Sequence, residues 1–218
     1  MRLNMGLFKF LLGEEPSIFE KAAFVIKTKG DKGAYGEYLT KYLFGSIRFK
    51  GYYKLLTNIY IPYKNATTEI DILLIHEKGI YVLESKNYSG WIFGNEKQVY
   101  WTQSLGKNLK ERFYNPIMQN RTHIKALSML LNIDRTTIKS YIIFSERCEL
   151  KKIPENTTEY TILKREQLLS SLNKELEGKS VIYTHEEIDR IKEQLESYTN
   201  VSQEIKDRHI ENIASKKQ

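Results

Sequence analysis

Apolar positions along this chain fall into two rhythms, one of about three and a half residues and one of two. In Tyr38-Leu39-Thr40-Lys41-Tyr42-Leu43-Phe44 the spacing is helical and stops near Gly45, predicting a first helix entered through Lys32-Gly33-Ala34-Tyr35-Gly36-Glu37. Lys54 to Tyr60, Thr67 to His76 and Ile80 to Lys86 are rich in β-branched and aromatic residues, with turn residues between, so three successive strands are expected. Trp91-Ile92-Phe93 and Gln98-Val99-Tyr100-Trp101, separated by Gly94-Asn95-Glu96-Lys97, read as a small hairpin. Asn115-Pro116 opens a second helix, with Asn as cap, Pro at the first helical position and Ile117, Ile124, Leu127 and Leu131 as its apolar stripe. Lys139 to Ser145 is continuously apolar at its centre, as a buried strand is. A strand reached through a crossover helix pairs in parallel, so the expected fold is α/β, a central mixed sheet flanked by helices.

The expected division is an N-terminal segment over residues 1–30 packing on the core, a domain over 31–150, and a C-terminal extension over 151–218. The extension holds a short strand and helices, one opened by the capping box Thr184-His185-Glu186-Glu187 with Ile188, Ile191 and Leu195 on one face, then a frayed tail. At 218 residues, 41% hydrophobic and 28% charged, the chain is a folded domain of ordinary composition. The lone Cys148 excludes an internal disulfide and a thiolate zinc cluster, and suits a reducing, cytoplasmic location. The apolar run at Met1–Leu12 is broken by Lys9 and followed by Glu14, Glu15 and Pro16, too short for a signal peptide or a membrane span. An excess of 34 Lys and Arg over 27 Asp and Glu favours polyanionic partners without requiring them. A homo-oligomer is compatible with the sequence but not legible in it.

Hydrolysis of a phosphodiester needs a divalent cation and a positive group near the transferring phosphoryl oxygens. Mg²⁺ takes hard oxygen ligands and commonly one or two carboxylates. Asp71 and Glu84 qualify as that pair. Strand alternation puts Lys86 on the same face as Glu84, with the Ser85 carbonyl between them as an extra ligand. A symmetric two-residue turn at Glu77-Lys78 pairs His76 with Gly79 and brings Asp71 opposite Glu84. Glu and Lys disfavour positive φ, however, and a three-residue loop using Gly79 would set Ser85 opposite Asp71 unless a bulge compensates. Glu-Ser-Lys at a strand end is also what a solvated edge with an incidental ion pair looks like. Asp71 between Ile70 and Ile72 is harder to explain in that way, since a charge among apolar neighbours is costly without a partner.

These residues resemble the nuclease-related domain family, a branch of the restriction-endonuclease-like PD-(D/E)XK superfamily, from about Gly33 to Ser145. The resemblance is carried, in order, by Gly33-Ala34-Tyr35-Gly36-Glu37, Glu69-Ile70-Asp71-Ile72-Leu73-Leu74-Ile75, Glu84-Ser85-Lys86-Asn87-Tyr88-Ser89-Gly90 and Asn115-Pro116-Ile117-Met118-Gln119. The Pro-Asp of the superfamily name is Ile70-Asp71 here. The resemblance implies a restriction-endonuclease-like core and a Mg²⁺-dependent endonuclease acting on DNA, with Mn²⁺ as a substitute. By it Asp71 and Glu84 bind the metal, and Glu37 approaches from the first helix as a further ligand or as an acid just behind the ligands. Lys86 orients or deprotonates water or stabilises the transition state, and Gln119 assists from the second helix. For Glu37 a dipole-complementing acid, and for Gln119 a solvent-facing polar residue, are the alternative readings. Lys97, Lys107, Lys110, Arg112, Arg121 and Lys125 are candidates to hold phosphates, and Trp91, Trp101 and Tyr88 to stack on bases, with hairpin packing as the other use of those rings. The rival functions are a catalytically inactive nucleic-acid-binding module and a protein-interaction domain on a nuclease-like fold. The four histidines lack zinc-site spacing, and no Walker-type phosphate loop is present.

Overall fold

The computed structural model describes residues 49–106 and 109–215. The helix expected at 38–44, Glu37 and Lys107 lie outside the described residues. The three strands expected in succession are β1 (Tyr53–Tyr63), β2 (Ala66–His76) and β3 (Gly79–Lys86), joined as antiparallel hairpins. The hairpin expected next has a second strand that begins later and a third strand that the polar pattern concealed: β4 (Gly90–Phe93), β5 (Tyr100–Ser104) and β6 (Lys110–Tyr114). Helix α1 (Pro116–Leu131) starts as the sequence dictates, with Asn115 Oδ1 accepting from the Ile117 N–H at 2.9 Å. It stops where Asn132 turns into the left-handed region at φ 53°.

The chain then returns through β7 (Ile138–Phe144), parallel to β3 as a crossover requires. β8 (Cys148–Lys152) pairs in parallel with β4, and β9 (Tyr160–Lys164) with β7. The result is a mixed five-stranded sheet in the order β1-β2-β3-β7-β9 and a four-stranded one in the order β6-β5-β4-β8. Helices α2 (Leu168–Glu177), α3 (His185–Glu196) and α4 (Gln203–Ser215) complete the described chain. None of the described helices is long and apolar enough to cross a membrane.

Strand alternation sorts the core into two faces of the larger sheet. Leu73, Ile75, Ile80 and Val82 pack with Ile124 and Leu127 of α1 and with Ile188, Ile191 and Leu195 of α3. Ile72, Leu74, Tyr81 and Leu83 face the opposite way, onto Leu168, Leu172 and Leu176 of α2. Ile92, Trp101 and Phe113 of the smaller sheet seal against Ile117 of α1 and Ile142 and Phe144 of β7. Trp101 is wholly buried, stacked on Phe144, and donates from Nε1 to the Asn95 carbonyl, so packing takes this ring and base stacking is closed to it.

Candidate active site

The geometry of the site starts at the β2–β3 turn. Its loop is two residues, Glu77-Lys78, with His76 paired to Gly79 and Ile72 to Leu83. Neither Glu77 nor Lys78 adopts positive φ. Gly79, at φ 149°, takes the conformation that a side chain would resist, which removes the conflict between loop length and residue type. No compensating bulge is needed between these two strands.

A distortion does occur on the other side of β2. Leu56 of β1 and Leu73 of β2 lie on the α1 face, and so do Ile59 and Ile70, although strict alternation would send the second pair to the α2 face. Between those pairs stand Asn58, at φ 52° inside a strand, and Asp71. A non-glycine residue in left-handed conformation within a strand costs about 1–3 kcal/mol and marks functional sites. Here the phase break lies at the proposed catalytic acid. Asp71 Oδ2 accepts the Ser85 backbone N–H at 2.9 Å, which holds its carboxylate at the exit of β3.

Glu84 follows Ile80 and Val82 on the α1 face and is 3% exposed. Its Oε1 accepts from Lys86 Nζ at 2.6 Å and from Gln119 Nε2 at 2.7 Å, while Gln119 Oε1 accepts from the same ammonium at 2.9 Å. The three side chains therefore close a ring, and Gln119 fits it in one amide orientation, NH₂ toward the carboxylate and oxygen toward the cation. Gln119, read from sequence as an assisting residue or a solvent-facing one, stands inside the network. Burial pushes the Glu84 carboxyl up, but the Lys86 ammonium and His123 outweigh it and hold the group below the usual carboxylate range. Burial works to lower the Lys86 pKa, and Glu84, Tyr88 and Asp71 together raise it above the ordinary lysine value.

Two residues that the sequence reading gave no role complete the surroundings. His123, one turn beyond Gln119, places Nε2 3.4 Å from Glu84 Oε2 and shares a 2.7 Å hydrogen bond between Nδ1 and Thr68 Oγ1. Asn120 is wholly buried and donates from Nδ2 to Ser140 Oγ at 2.9 Å, locking α1 to the sheet directly behind the site. The signal for His123 was its spacing of four from Gln119, which puts both on one helix face. Asn120 carried no local signal, because its partners come from β3 and β7.

Of the candidate phosphate and base contacts, Arg121 is committed to Glu159 and Glu96, with Nε 2.6 Å from Glu159 Oε1. Tyr88 lies tilted on Phe113 with ring centroids 4.3 Å apart. Lys97, Lys110, Arg112 and Lys125 are exposed, and Trp91 is half exposed. Among the described residues no group of three or more His, Cys, Asp or Glu side chains is gathered to hold a metal ion. Among the described residues Glu84 Oε2 is buried and makes no closer polar contact than His123 Nε2 at 3.4 Å. Two carboxylates with a spare buried oxygen fit a cation that keeps several waters, as Mg²⁺ does, and do not fit a thiolate or histidine metal.

The family model for the nuclease-related domain matches residues 32–145, more than half of the chain, and ends just past β7. This chain belongs to the nuclease-related domain family. An uncharacterized protein of Bacillus anthracis is 33% identical over 187 residues, covering 85% of each chain. No solved structure matches. The matched nuclease-related domain contains Asp71, Glu84, Ser85, Lys86 and Gln119, and also His123 and Asn120.

Proposed function

We propose that this nuclease-related protein is a metal-dependent nuclease that hydrolyses DNA phosphodiester bonds internally. The observation that carries the reading is the buried Glu84–Lys86–Gln119 ring at the end of β3, beside an Asp71 held by the Ser85 N–H. A buried ion pair is rarely a source of stability, because desolvation offsets most of the attraction, so its presence at the end of β3 asks for a chemical reason.

In the proposal Asp71 and Glu84 hold Mg²⁺ or Mn²⁺, with the Ser85 carbonyl and Glu37 as further oxygen donors. A bound divalent ion supplies an activated water and neutralises charge on the phosphate. Lys86 supplies the fixed positive group. Its ammonium is already positioned by two acceptors, so it is preorganised to orient the attacking water and to stabilise charge that grows on the phosphoryl oxygens. Gln119 keeps Lys86 and Glu84 in register through the amide that bridges them. His123, braced by Thr68, sets the orientation of the Glu84 carboxylate from its buried side. The substrate is drawn in by the basic surface, and the single buried cysteine accords with a cytoplasmic setting.

The test is incubation of the purified protein with supercoiled and linear DNA in Mg²⁺, in Mn²⁺ and in chelator, beside Asp71→Ala and Lys86→Ala. Metal-dependent nicking of the circle, lowered about a hundredfold or more in both variants, is expected. Equal DNA binding with no cutting in any metal would falsify the enzyme and leave a binding module.

A further inference from the structure

The outer face of the smaller sheet has no role in the site just described. On β4, β5 and β6, alternation turns Ile92, Trp101 and Phe113 into the core and their neighbours outward. Trp91 and Phe93 thus share the outer face of β4. Cross-strand pairing sets Trp91 beside Ser104 and then Lys110, Phe93 beside Thr102 and then Arg112, and Tyr100 beside Tyr114. Four aromatic rings and two cations occupy neighbouring positions on one open surface. Trp91 is 50% exposed and Tyr114 41%. A shallow concavity of about 740 Å³ runs across Trp91, Phe93, Thr102 and Lys110.

Charge and aromatic character are interleaved there. Lys151 sits over the Trp91 ring at 5.2 Å from its centroid, and the Arg112 guanidinium over Tyr100 at 5.0 Å. Among the described residues Glu149 is the carboxylate that alternation brings beside Trp91, and it is engaged by Lys151 at 2.5 Å. Apolar rings without cations would suit a protein or lipid surface. Cations without rings would suit any polyanion. Rings carrying cations on an exposed sheet face suit bases that are unstacked and joined by phosphates. A duplex keeps its base faces covered and has nothing to offer these rings. The platform also has a fixed relation to the catalytic strand. Trp91 is five residues beyond Lys86, so their Cα atoms are separated by at most about 18 Å.

We infer that this face is a stacking platform for single-stranded polynucleotide, which receives a melted or single-stranded segment next to the site at the end of β3. The inference deepens the nuclease reading, from which it takes that the ligand is a polynucleotide, but its binding step is independent of cleavage. Trp91 and the Tyr100–Tyr114 pair stack on bases, and Lys110, Arg112 and Lys151 hold the phosphates between them.

The experiment uses the full-length protein in EDTA, where cutting is silent. It is titrated into labelled oligo-thymidylate, oligo-uridylate and a duplex of equal length, with anisotropy and tryptophan emission read together. Both single strands are expected to bind more tightly than the duplex and to quench Trp91, while the buried Trp101 continues to emit. Trp91→Ala is expected to weaken binding by about fivefold or more, Trp91→Phe to keep most of it, and Lys110→Glu with Arg112→Glu to flatten the salt dependence. The ratio between the two oligonucleotides tells DNA from RNA as the source of the strand. Unchanged affinity in Trp91→Ala, or preference for the duplex, would overturn the platform. So would a free protein whose Trp91 is shielded from acrylamide and that binds no single strand, an outcome that assigns the face to residues 1–48 of the same chain. The two readings fail separately. Single-strand binding through Trp91 with no metal-dependent nicking removes the nuclease and keeps the platform, and nicking with an indifferent Trp91 does the reverse.

Discussion

At the scale of single residues, the site is a case of one buried charge maintained by several neighbours. Glu84 is 3% exposed, and Lys86 is its cation. Replacing Lys86 by Met leaves that carboxylate buried without its counter-ion, so a loss of about 3–5 kcal/mol is expected in urea denaturation. Glu84→Gln in the same chain should recover most of it, which separates a charge effect from lost packing. His123 is expected to act through Glu84. His123→Phe should weaken Mn²⁺ binding, read by electron paramagnetic resonance, by about 10- to 100-fold, and His123→Gln, which keeps a donor near Glu84 Oε2, should restore part of it. Equal Mn²⁺ affinity in all three proteins would remove His123 from the site. Asp71 could be singled out from sequence because a charge between apolar neighbours in a strand is a local anomaly, and Glu84 and Lys86, ordinary by themselves at a strand end, because they follow it in the family's motif order. Asn120 could not, since its meaning lies in Ser140, which is distant in sequence.

At the scale of elements, the sheet is held to its helices by contacts of two kinds. The α3 stripe of Ile188, Ile191 and Leu195 is buried on the α1 side of the sheet, and Ile188→Ala is expected to cost about 2–4 kcal/mol in thermal or chemical unfolding. Helix α2 is fixed differently. Its Glu175 accepts from Tyr141 Oη at 2.5 Å and lies 2.9 Å from Lys139 Nζ, both on β7, and 2.8 Å from Lys179 Nζ. Burial pushes the Glu175 carboxyl up, and Lys179, Tyr141 and Lys139 outweigh it, so its folded pKa lies below the ordinary 4.5. A depressed carboxylate pKa adds stability that is fully present above the unfolded value and lost as the pH falls through the folded one. Glu175→Gln should therefore destabilise by about 1–2 kcal/mol at pH 7, with the gap to the parent protein closing as the pH drops below 4.5. A gap that does not change with pH would show that the carboxylate's charge contributes nothing. Two strands escaped the sequence, β6 and β8, the two edges of the smaller sheet. In β6 the stretch Lys110-Glu111-Arg112 lacks an apolar rhythm because all three side chains are exposed at the sheet edge.

At the scale of the whole molecule, the proposed metal binding would be linked to folding, since a ligand that binds the native state alone stabilises it. Addition of millimolar Mg²⁺ should raise the melting temperature of the parent protein, and Asp71→Ala should abolish the increment. An equal increment in both proteins would place the cation elsewhere. By itself the sequence determined the strands that carry Asp71, Glu84 and Lys86, the Asn115-Pro116 start of α1, the capping box of α3 and the family, because periodicity, caps and motif order are local properties of the chain. Tertiary structure alone decided the two-residue turn made acceptable by Gly79, the phase break of β1 and β2 at Asn58 and Asp71, and the placement of Gln119 and His123 on the two oxygens of Glu84. It also decided which tryptophan is buried and which stands open. The physical reason is common to all of these. Loop register, strand phase and the desolvation of a charge depend on which side chains arrive from elsewhere in the fold, and no window of neighbouring residues contains that information.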